Sequence, residues 1–338
     1  MPNLRAGLLL ILAATPSAAQ RAHNPDSARV ITEDIPRFWQ AFDARTRLGT
    51  ARALDSLYLK PGTAGLRDFV RVRLKDAPTL AATVDASVRY YASARPSTLR
   101  VAKFEPQIRA SFQKLEDLYP DAVFPDVYFV IGRLNTGGTP AGSGMLIGAE
   151  MYGRTDESSL AGLGDWLHQV LRPVDDVPAV IAHELVHYQQ SRSSFTMVRR
   201  ALMRLQSPLS PSLLAKSLNE GSADFIGEMI SGMNINSHVH VWALPREREL
   251  WKEFQRKMLG TDLSGWFSGG DVRARPADLG YFIGYRIAQS YYEHATDKRR
   301  AIRDILRMSD PEDFLNRSRY AERFADGDKR GLHAPNRR

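Results

Sequence analysis

The stretch VPAVIAHELVHYQQ, residues 177–190, determines the fold that we expect for this chain. Its apolar residues recur at helical spacing, which predicts an α-helix. Asp175 or Asp176 can cap the start of this helix, and Pro178 falls in its first turn, where no amide hydrogen is required. Apolar residues fill most of the remaining positions, so we expect the helix to be buried.

The same stretch contains His183-Glu184-Leu185-Val186-His187, which has the form H-E-x-x-H. Four residues make about one helical turn, so the imidazoles of His183 and His187 leave one face and can bind a single ion. Zinc accepts histidine nitrogen, and catalytic zinc sites keep one position for water. Glu184 lies about 100° around the helix, so it misses the ion but reaches the metal-bound water as a general base. The motif predicts a catalytic Zn²⁺ site; a metal-free pair of hydrogen-bonded histidines is the alternative.

The third zinc ligand is expected from the segment NEGSAD, residues 219–224. Glu220 is the best candidate, because a carboxylate can complete a site with two histidines. Asp224 lies about one turn further on the same helix face, where it can accept the outer N–H of a ligating histidine. Gly221 and Ala223 are small, so we expect this helix to pack closely against the first. A solvated helix N-terminus, which also favours acidic residues, is the alternative.

Other residues compete for the third ligand position. His238 and His240 are two residues apart, so a strand would place both imidazoles on one face. They follow a turn-like stretch, however, and exposed or hydrogen-bonded histidines are the commoner outcome. Glu150 and Glu228 are weaker rivals.

The composition limits the possible chemistry. The chain has 338 residues, of which 43% are hydrophobic and 25% charged, as is usual for a soluble globular protein. It has no cysteine, which excludes disulfides, thiolate metal sites and cysteine nucleophiles. The formal net charge is +8, but the basic residues are scattered and form no stripe with interleaved aromatics, so we expect no nucleic-acid partner. Any metal must therefore be bound by histidine, aspartate or glutamate.

Residues 1–19 have the pattern of a secretory signal peptide. Arg5 precedes a short apolar run over residues 6–14, and Ser17 and Ala19 are small residues of the kind that a signal peptidase reads. An uncleaved membrane anchor is the alternative. No later segment has about 18 consecutive apolar residues, so we expect no membrane span in the mature chain. The pattern predicts an exported protein, periplasmic or secreted, and the lack of cysteine excludes a lipoprotein.

The remaining patterns predict an α+β fold that is mainly helical with a small sheet. Residues 26–120 show helical spacing, with aromatic stripes that we expect in the core. β-Branched and aromatic runs over 127–131 and 145–149 predict two strands, and the glycine-rich stretch between them suggests a hairpin with a long loop. The polar residues 326–338 predict a disordered tail. Further helices are predicted over residues 217–230 and 281–295.

Taken together, these motifs resemble the gluzincin metallopeptidases, the thermolysin-like group. They are closer still to a family of predicted bacterial zinc-dependent proteases related to gliding-motility lipoproteins. The resemblance covers about residues 127–320, and the missing lipobox cysteine departs from the gliding-motility relatives. The segments that carry it are VYFVIG (127–132), Gly137-Gly138, HELVHYQQ (183–190), NEGSAD (219–224) and GYFIGY (280–285).

The resemblance implies a zincin-like fold in a single catalytic domain over residues 20–325. It implies Zn²⁺ as the cofactor and a peptide or protein as the substrate. In gluzincins a strand edge near the metal binds the substrate backbone as an added strand. Here that strand would be 127–131 or 145–149, and contacts with substrate are expected from Val130, Gly132 and Gly138. Two ordinary core strands are the alternative.

A metallopeptidase also requires a hydrogen-bond donor for the oxyanion of its tetrahedral intermediate. The segment GYFIGYR, residues 280–286, is the candidate region. Tyr281 and Tyr285 lie one turn apart on a predicted helix, and either hydroxyl can donate such a bond. Ordinary core packing of these aromatic rings is the alternative.

The function that the sequence predicts is hydrolysis of peptide bonds outside the cytoplasm, with Glu184 as the base. One alternative is a non-catalytic envelope assembly or chaperone-like protein that keeps a structural zinc site. The intact Glu184 argues against that alternative, because structural zinc sites are closed by four protein ligands and need no base. A metallohydrolase acting on non-peptide amides also fits the motifs.

Overall fold

The computed structural model describes residues 22–191, 211–267 and 275–327. The expected signal peptide over residues 1–19 lies outside them, as does the expected disordered tail apart from residues 326–327, which end a 3-10 helix. The described chain is mainly helical with one small mixed sheet, so the expected α+β class is confirmed. None of the described helices is long and apolar enough to cross a membrane.

The N-terminal part is helical, as its spacing predicted. In the first helix the aromatic stripe is buried, and the rings of Phe38 and Trp39 pack edge to face with centroids 5.0 Å apart. These aromatics therefore serve the core. The α-helices of this part are α1 (Asp34–Leu48), α2 (Thr50–Leu54), α3 (Ala64–Phe69), α4 (Ala77–Ala86), α5 (Val88–Leu99) and α6 (Glu105–Leu118).

Strand pairing in the sheet differs from the expected hairpin. The strands are β1 (Val30–Ile31), β2 (Val127–Val130), β3 (Gly138–Ala141) and β4 (Gly144–Gly148), in the order β1-β2-β4-β3. β2 and β4 are parallel, so the predicted hairpin between them is wrong. The glycine-rich stretch contains the additional strand β3, which pairs antiparallel with β4 across a turn at residues 142–143. Within the described residues β3 pairs with β4 alone, so it is an edge strand.

Tyrosines of the N-terminal helices hold the loop that leads from β2 to β3. The Tyr58 hydroxyl donates to the carbonyl of Ile131 at 2.7 Å, and the Tyr91 hydroxyl donates to the carbonyl of Gly132 at 2.8 Å. Both rings are fully buried, so these bonds form away from competing water. The N-terminal part thus anchors the two residues that directly follow β2.

The second half of the chain contains the helix with the H-E-x-x-H motif. It runs over Val177–Ser191, as predicted, and the next long helix runs over Leu213–Ser231, which starts earlier than expected. Glu220 therefore lies in the middle of a helix and not at a solvated N-terminus. The α-helices of this half are α7 (Asp165–Val170), α8 (Val177–Ser191), α9 (Leu213–Ser231), α10 (Ser237–Ala243), α11 (Glu247–Lys257), α12 (Leu279–His294), α13 (Lys298–Leu306) and α14 (Pro311–Ser318).

Helices α9 and α12 cross in backbone contact at two glycines. A Cβ atom on Gly284 would lie under 3.0 Å from the carbonyl oxygen of Ser217, and one on Gly221 would lie under 3.0 Å from the amide nitrogen of Tyr285. Gly221 therefore serves the contact with α12, and not the contact with α8 that its small size suggested. At the α8 contact the small residue is Gly227, whose Cβ position is 3.3 Å from the amide nitrogen of His183.

Residues 154–171 form a surface segment whose two ends meet. The amide of Arg154 donates to the carbonyl of Arg172 at 3.1 Å, and the amide of Arg172 donates to the carbonyl of Met151 at 2.9 Å. The segment contains α7, in which no residue is fully buried although Leu167 packs against the core, and Trp166 within it is 53% exposed.

Candidate metal centre

Three side chains from α8 and α9 converge at the centre of the fold. His183 and His187 lie one turn apart on α8, and their ring centroids are 4.5 Å apart. Oε2 of Glu220, on α9, lies 3.0 Å from Nε2 of His187 and 3.6 Å from Nε2 of His183. The three potential ligand atoms lie within 4.8 Å of one another, which is close enough to hold one metal ion. The structure thus brings together the three residues that the sequence selected.

Each histidine is held through its other ring nitrogen. Nδ1 of His183 donates to Oδ1 of Asp224 at 2.7 Å, as the spacing of Glu220 and Asp224 predicted. A hydrogen bond from Nδ1 to a carboxylate fixes the orientation of the ring, so Nε2 is the nitrogen that faces Glu220.

Gln190 holds the second histidine. Its Oε1 lies 2.7 Å from Nδ1 of His187. Its Nε2 donates to the carbonyl of Asn219 at 3.1 Å and to Oγ of Ser222 at 3.0 Å, so both amide hydrogens are used and Oε1 must face the histidine. Gln190 was not among the predicted site residues, although its position three residues after His187 on one helix indicates a possible contact.

The electrostatics of these residues fit a bound cation. Two ring nitrogens face one carboxylate, and only a proton or a metal ion between them makes that approach favourable. Burial lowers the pKa of His183, but Asp224 and Glu220 outweigh this effect and raise it to about 10. Burial raises the pKa of Glu220, but hydrogen bonds and charges from the two histidines hold it well below its usual value. The residues present therefore suit a divalent ion.

Lys216 restricts the carboxylate of Glu220. Its Nζ lies 2.6 Å from Oε1 of Glu220, four residues further along α9, and Nδ2 of Asn219 donates to the same oxygen at 3.3 Å. Oε1 is therefore occupied, and Oε2 is the oxygen left to face the histidines. Lys216 was not among the predicted site residues, although its i,i+4 spacing from Glu220 indicates an ion pair.

Glu184 lies beside the metal-ligand group in a cleft of about 260 Å³. A Cβ atom on Gly138 would lie 2.8 Å from Cδ of Glu184, so a larger residue at the start of β3 would push this carboxylate out of its present position. The edge strand β3 therefore lies beside the Glu184 side chain and contributes Pro140 to one wall of the cleft. The side chains that line the cleft include Pro140 of β3, Glu184, His187 and Gln190 of α8, and Asn219 and Glu220 of α9.

The two candidate tyrosines occupy different surroundings. The Tyr281 ring stacks on that of His183 with centroids 6.2 Å apart. Burial and the charge of Glu220 raise the pKa of Tyr281 well above its usual value, so its hydroxyl keeps its proton and can donate. The Tyr285 ring instead packs against Phe225 and His240, with centroids 5.4 and 4.5 Å away. Tyr281 is thus the tyrosine that lies at the centre.

The expected substrate contacts at Val130 and Gly132 do not agree with the structure. Val130 is fully buried in the interior strand β2. The Cβ position of Gly132 is 2.6 Å from Oε1 of Glu150, inside the core. Both residues lie away from the cleft because β2 lies inside the sheet, between β1 and β4, whereas the strand beside the cleft is the edge strand β3.

The rival ligands lie apart from the group. His238 and His240 lie on helix α10 and not on a strand, so they do not share a face; His238 is exposed, and the His240 ring packs 5.1 Å from that of Phe282. Oε2 of Glu228 accepts a hydrogen bond from Asn234 at 2.8 Å. Among the described residues the metal-ligand group contains His183, His187 and Glu220 alone.

No protein-family model, no curated protein and no solved structure matches this chain.

Glu150 is a fully buried carboxylate beneath the loop between β2 and β3. It accepts hydrogen bonds from the amides of Gly132 at 2.7 Å and Leu134 at 3.2 Å. Burial raises its pKa to about 7, because the two amides only partly offset the loss of hydration. The protonated form is therefore the one that the folded state favours at mildly acidic pH.

Glu150→Gln is expected to change how stability depends on pH. A folded-state pKa raised above the unfolded value contributes stability below about pH 4.5 that is lost as the pH rises through about 7, here up to about 3 kcal/mol. Glutamine has no such charge to bury, so its stability relative to wild type should increase between pH 5 and pH 8. Urea unfolding at both pH values measures this, with the exposed Glu157→Gln as control. Parallel pH profiles of wild type and Glu150→Gln would contradict the assignment.

Proposed function

We propose that this chain is an exported, zinc-dependent peptidase of gluzincin type. The observation that carries the proposal is the convergence of His183, His187 and Glu220 next to a cleft that also contains the Glu184 carboxylate. The signal-like pattern of residues 1–19 supports action in the periplasm or outside the cell.

The donor set supports zinc at a catalytic rather than a structural site. Two imidazoles and one carboxylate are a set that zinc hydrolases use, whereas structural sites take four protein ligands. Within the described residues three ligand side chains are present, which leaves a position for water or substrate. A bound Zn²⁺ would supply Lewis acidity, which lowers the pKa of a water and polarises a carbonyl.

Residues of the chain would carry out proton transfer, stabilisation of the oxyanion and binding of the peptide. The Glu184 carboxylate takes a proton from the attacking water and returns it to the leaving nitrogen. The Tyr281 hydroxyl, which keeps its proton, donates a hydrogen bond to the oxyanion. The edge strand β3 offers backbone groups to an extended peptide, and Pro140 within it fits an edge position.

The proposal is tested by metal analysis joined to a peptide digest. Purified protein should contain about one zinc per chain, and it should cleave members of a broad peptide library. A chelator should abolish cleavage, and added Zn²⁺ should restore it. Stoichiometric zinc without cleavage of any peptide would instead support the non-catalytic alternative.

Glu220→Ala is expected to weaken zinc binding by more than about 100-fold, because loss of the outer partner of a ligand alone typically costs about 10–100-fold. Competition with a chromophoric chelator measures the zinc dissociation constant. Glu228→Ala is the matched control, since Glu228 lies on the same helix and bonds to Asn234 instead of the histidines. Equal affinities of the two variants would remove Glu220 from the ligand set.

A further inference from the structure

A buried chain of hydrogen bonds continues from His183 beyond Asp224. Nδ2 of Asn236 donates to Oδ2 of Asp224 at 2.7 Å, and Nη2 of Arg172 donates to Oδ1 of Asn236 at 3.1 Å. Asn236 is 3% exposed and Asp224 is 2% exposed, so water has little access to these bonds. None of the expected roles involved Asn236 or Arg172.

Chemistry fixes the direction of each bond in this chain. A guanidinium has donors only, so Oδ1 of Asn236 must face Arg172 and Nδ2 must face Asp224. Arg172 is held in turn, because its Nη1 donates to the carbonyl of Ile235 at 2.7 Å. The amide of Asn236 donates to Oδ1 of Asn234 at 2.8 Å, which anchors its backbone.

The bond from Asn236 determines what Asp224 can offer to His183. A carboxylate with one unpartnered oxygen can rotate, and it can present either oxygen to the imidazole. With Oδ2 engaged by Asn236, Oδ1 is the oxygen left for Nδ1 of His183, which lies 2.7 Å away. The two bonds together fix the plane of the Asp224 carboxylate, and this plane determines the orientation of the His183 imidazole.

We propose that Arg172 and Asn236 are positioning residues, which hold Asp224 so that His183 presents Nε2 to the cation. The inference rests on the metal centre of the proposed function. His187 differs, because its partner Gln190 lies on its own helix. The support of His183 comes instead from residue 172, before α8, and from residue 236, between α9 and α10, so its alignment depends on packing outside the two ligand helices.

Exchange of Asn236 for aspartate tests the proposal, because it keeps the shape and removes the donor. The new carboxylate still accepts from Arg172, but it cannot donate to Asp224 and repels it at 2.7 Å. Asn234→Asp is a matched control: aspartate keeps the oxygen that accepts from the amide of Asn236, and the bond that it loses goes to Oε2 of Glu228, which is not joined to His183. Asn236→Ala completes the set by removing both the bond and the packing.

Zinc affinity, measured by chelator competition, distinguishes positioning from packing. We expect Asn236→Asp to weaken zinc binding about tenfold or more relative to Asn234→Asp, as loss of outer partners of ligands does elsewhere. We also expect it to bind zinc no better than Asn236→Ala. A packing role predicts the opposite order, since aspartate fills the space of asparagine. Equal zinc affinities of Asn236→Asp and Asn234→Asp would overturn the proposal.

A second measurement requires neither metal nor activity. In metal-free protein with ¹⁵N-labelled histidine, the ring nitrogens of His183 should shift in Asn236→Asp and not in Asn234→Asp, while those of His187 should stay unchanged in both. Unchanged His183 resonances in Asn236→Asp would also overturn the proposal. If wild type binds no zinc, the proposed function fails, and these spectra still decide whether Asn236 positions His183.

Discussion

Glu184→Gln is expected to reduce peptide hydrolysis by about 10²–10⁴-fold, the contribution usual for a positioned general base. The substitution preserves shape, so it fits against Gly138 as the native side chain does. It removes the only group in the proposal that accepts the proton of the attacking water. Zinc content should stay at the wild-type level, because Glu184 lies outside the metal-ligand group.

Rates on a peptide that wild type cleaves, together with metal analysis of the same samples, measure this effect. Glu293→Gln is a suitable control, because Glu293 lies on the exposed side of α12. A loss of both zinc and activity would mean that Glu184 acts in binding the ion. Full activity of Glu184→Gln would disprove the proposed mechanism.

Gly284→Ala is expected to have the largest effect on stability, a loss of about 3 kcal/mol or more in the free energy of unfolding. The added methyl group would lie under 3.0 Å from the carbonyl oxygen of Ser217. Because this is a clash with backbone, no side-chain rotation can relieve it, and α9 and α12 must separate. Separation would displace Tyr281 of α12 from the residues that α9 carries, Glu220 among them.

Urea unfolding of Gly284→Ala and Gly164→Ala measures this loss. Gly164 has a negative φ of −70°, and nothing lies within 4 Å of its Cβ position, so the same substitution there should cost no more than about 1 kcal/mol, the usual size of an N-cap effect. Zinc affinity should fall in Gly284→Ala and remain unchanged in Gly164→Ala. Equal unfolding midpoints would show that the two helices can part without cost.

The sequence predicted the part of the centre that local helical geometry determines. The pairs His183 with His187 and Glu220 with Asp224 are each four residues apart on one helix, so their shared faces follow from the helical repeat alone. The burial of α8 followed from its apolar composition in the same way.

Features that depend on packing between distant segments were not predictable. β1 has two residues, too few to show an alternating pattern. β2 and β4 are parallel because β3 lies between them in sequence, and β3 was not predicted because its glycine and proline are atypical of strands. Gly221 looked like a contact for α8 but meets α12, because a small residue does not indicate which neighbour it faces. Arg172 and Asn236 were not predictable either, because no local sequence pattern indicates that they contact each other and Asp224.

Because the two ends of residues 154–171 lie next to each other, this segment is suited to the insertion of additional sequence. Its ends are joined by the bond between Arg154 and Arg172, and α7 within it contributes no buried residue. Lengthening such a loop is thermodynamically inexpensive, since closure entropy grows only with the logarithm of length. A fluorescent reporter or affinity epitope inserted near Trp166 would leave the sheet intact, and with Arg172 retained it would report on the chain without disturbing the histidines.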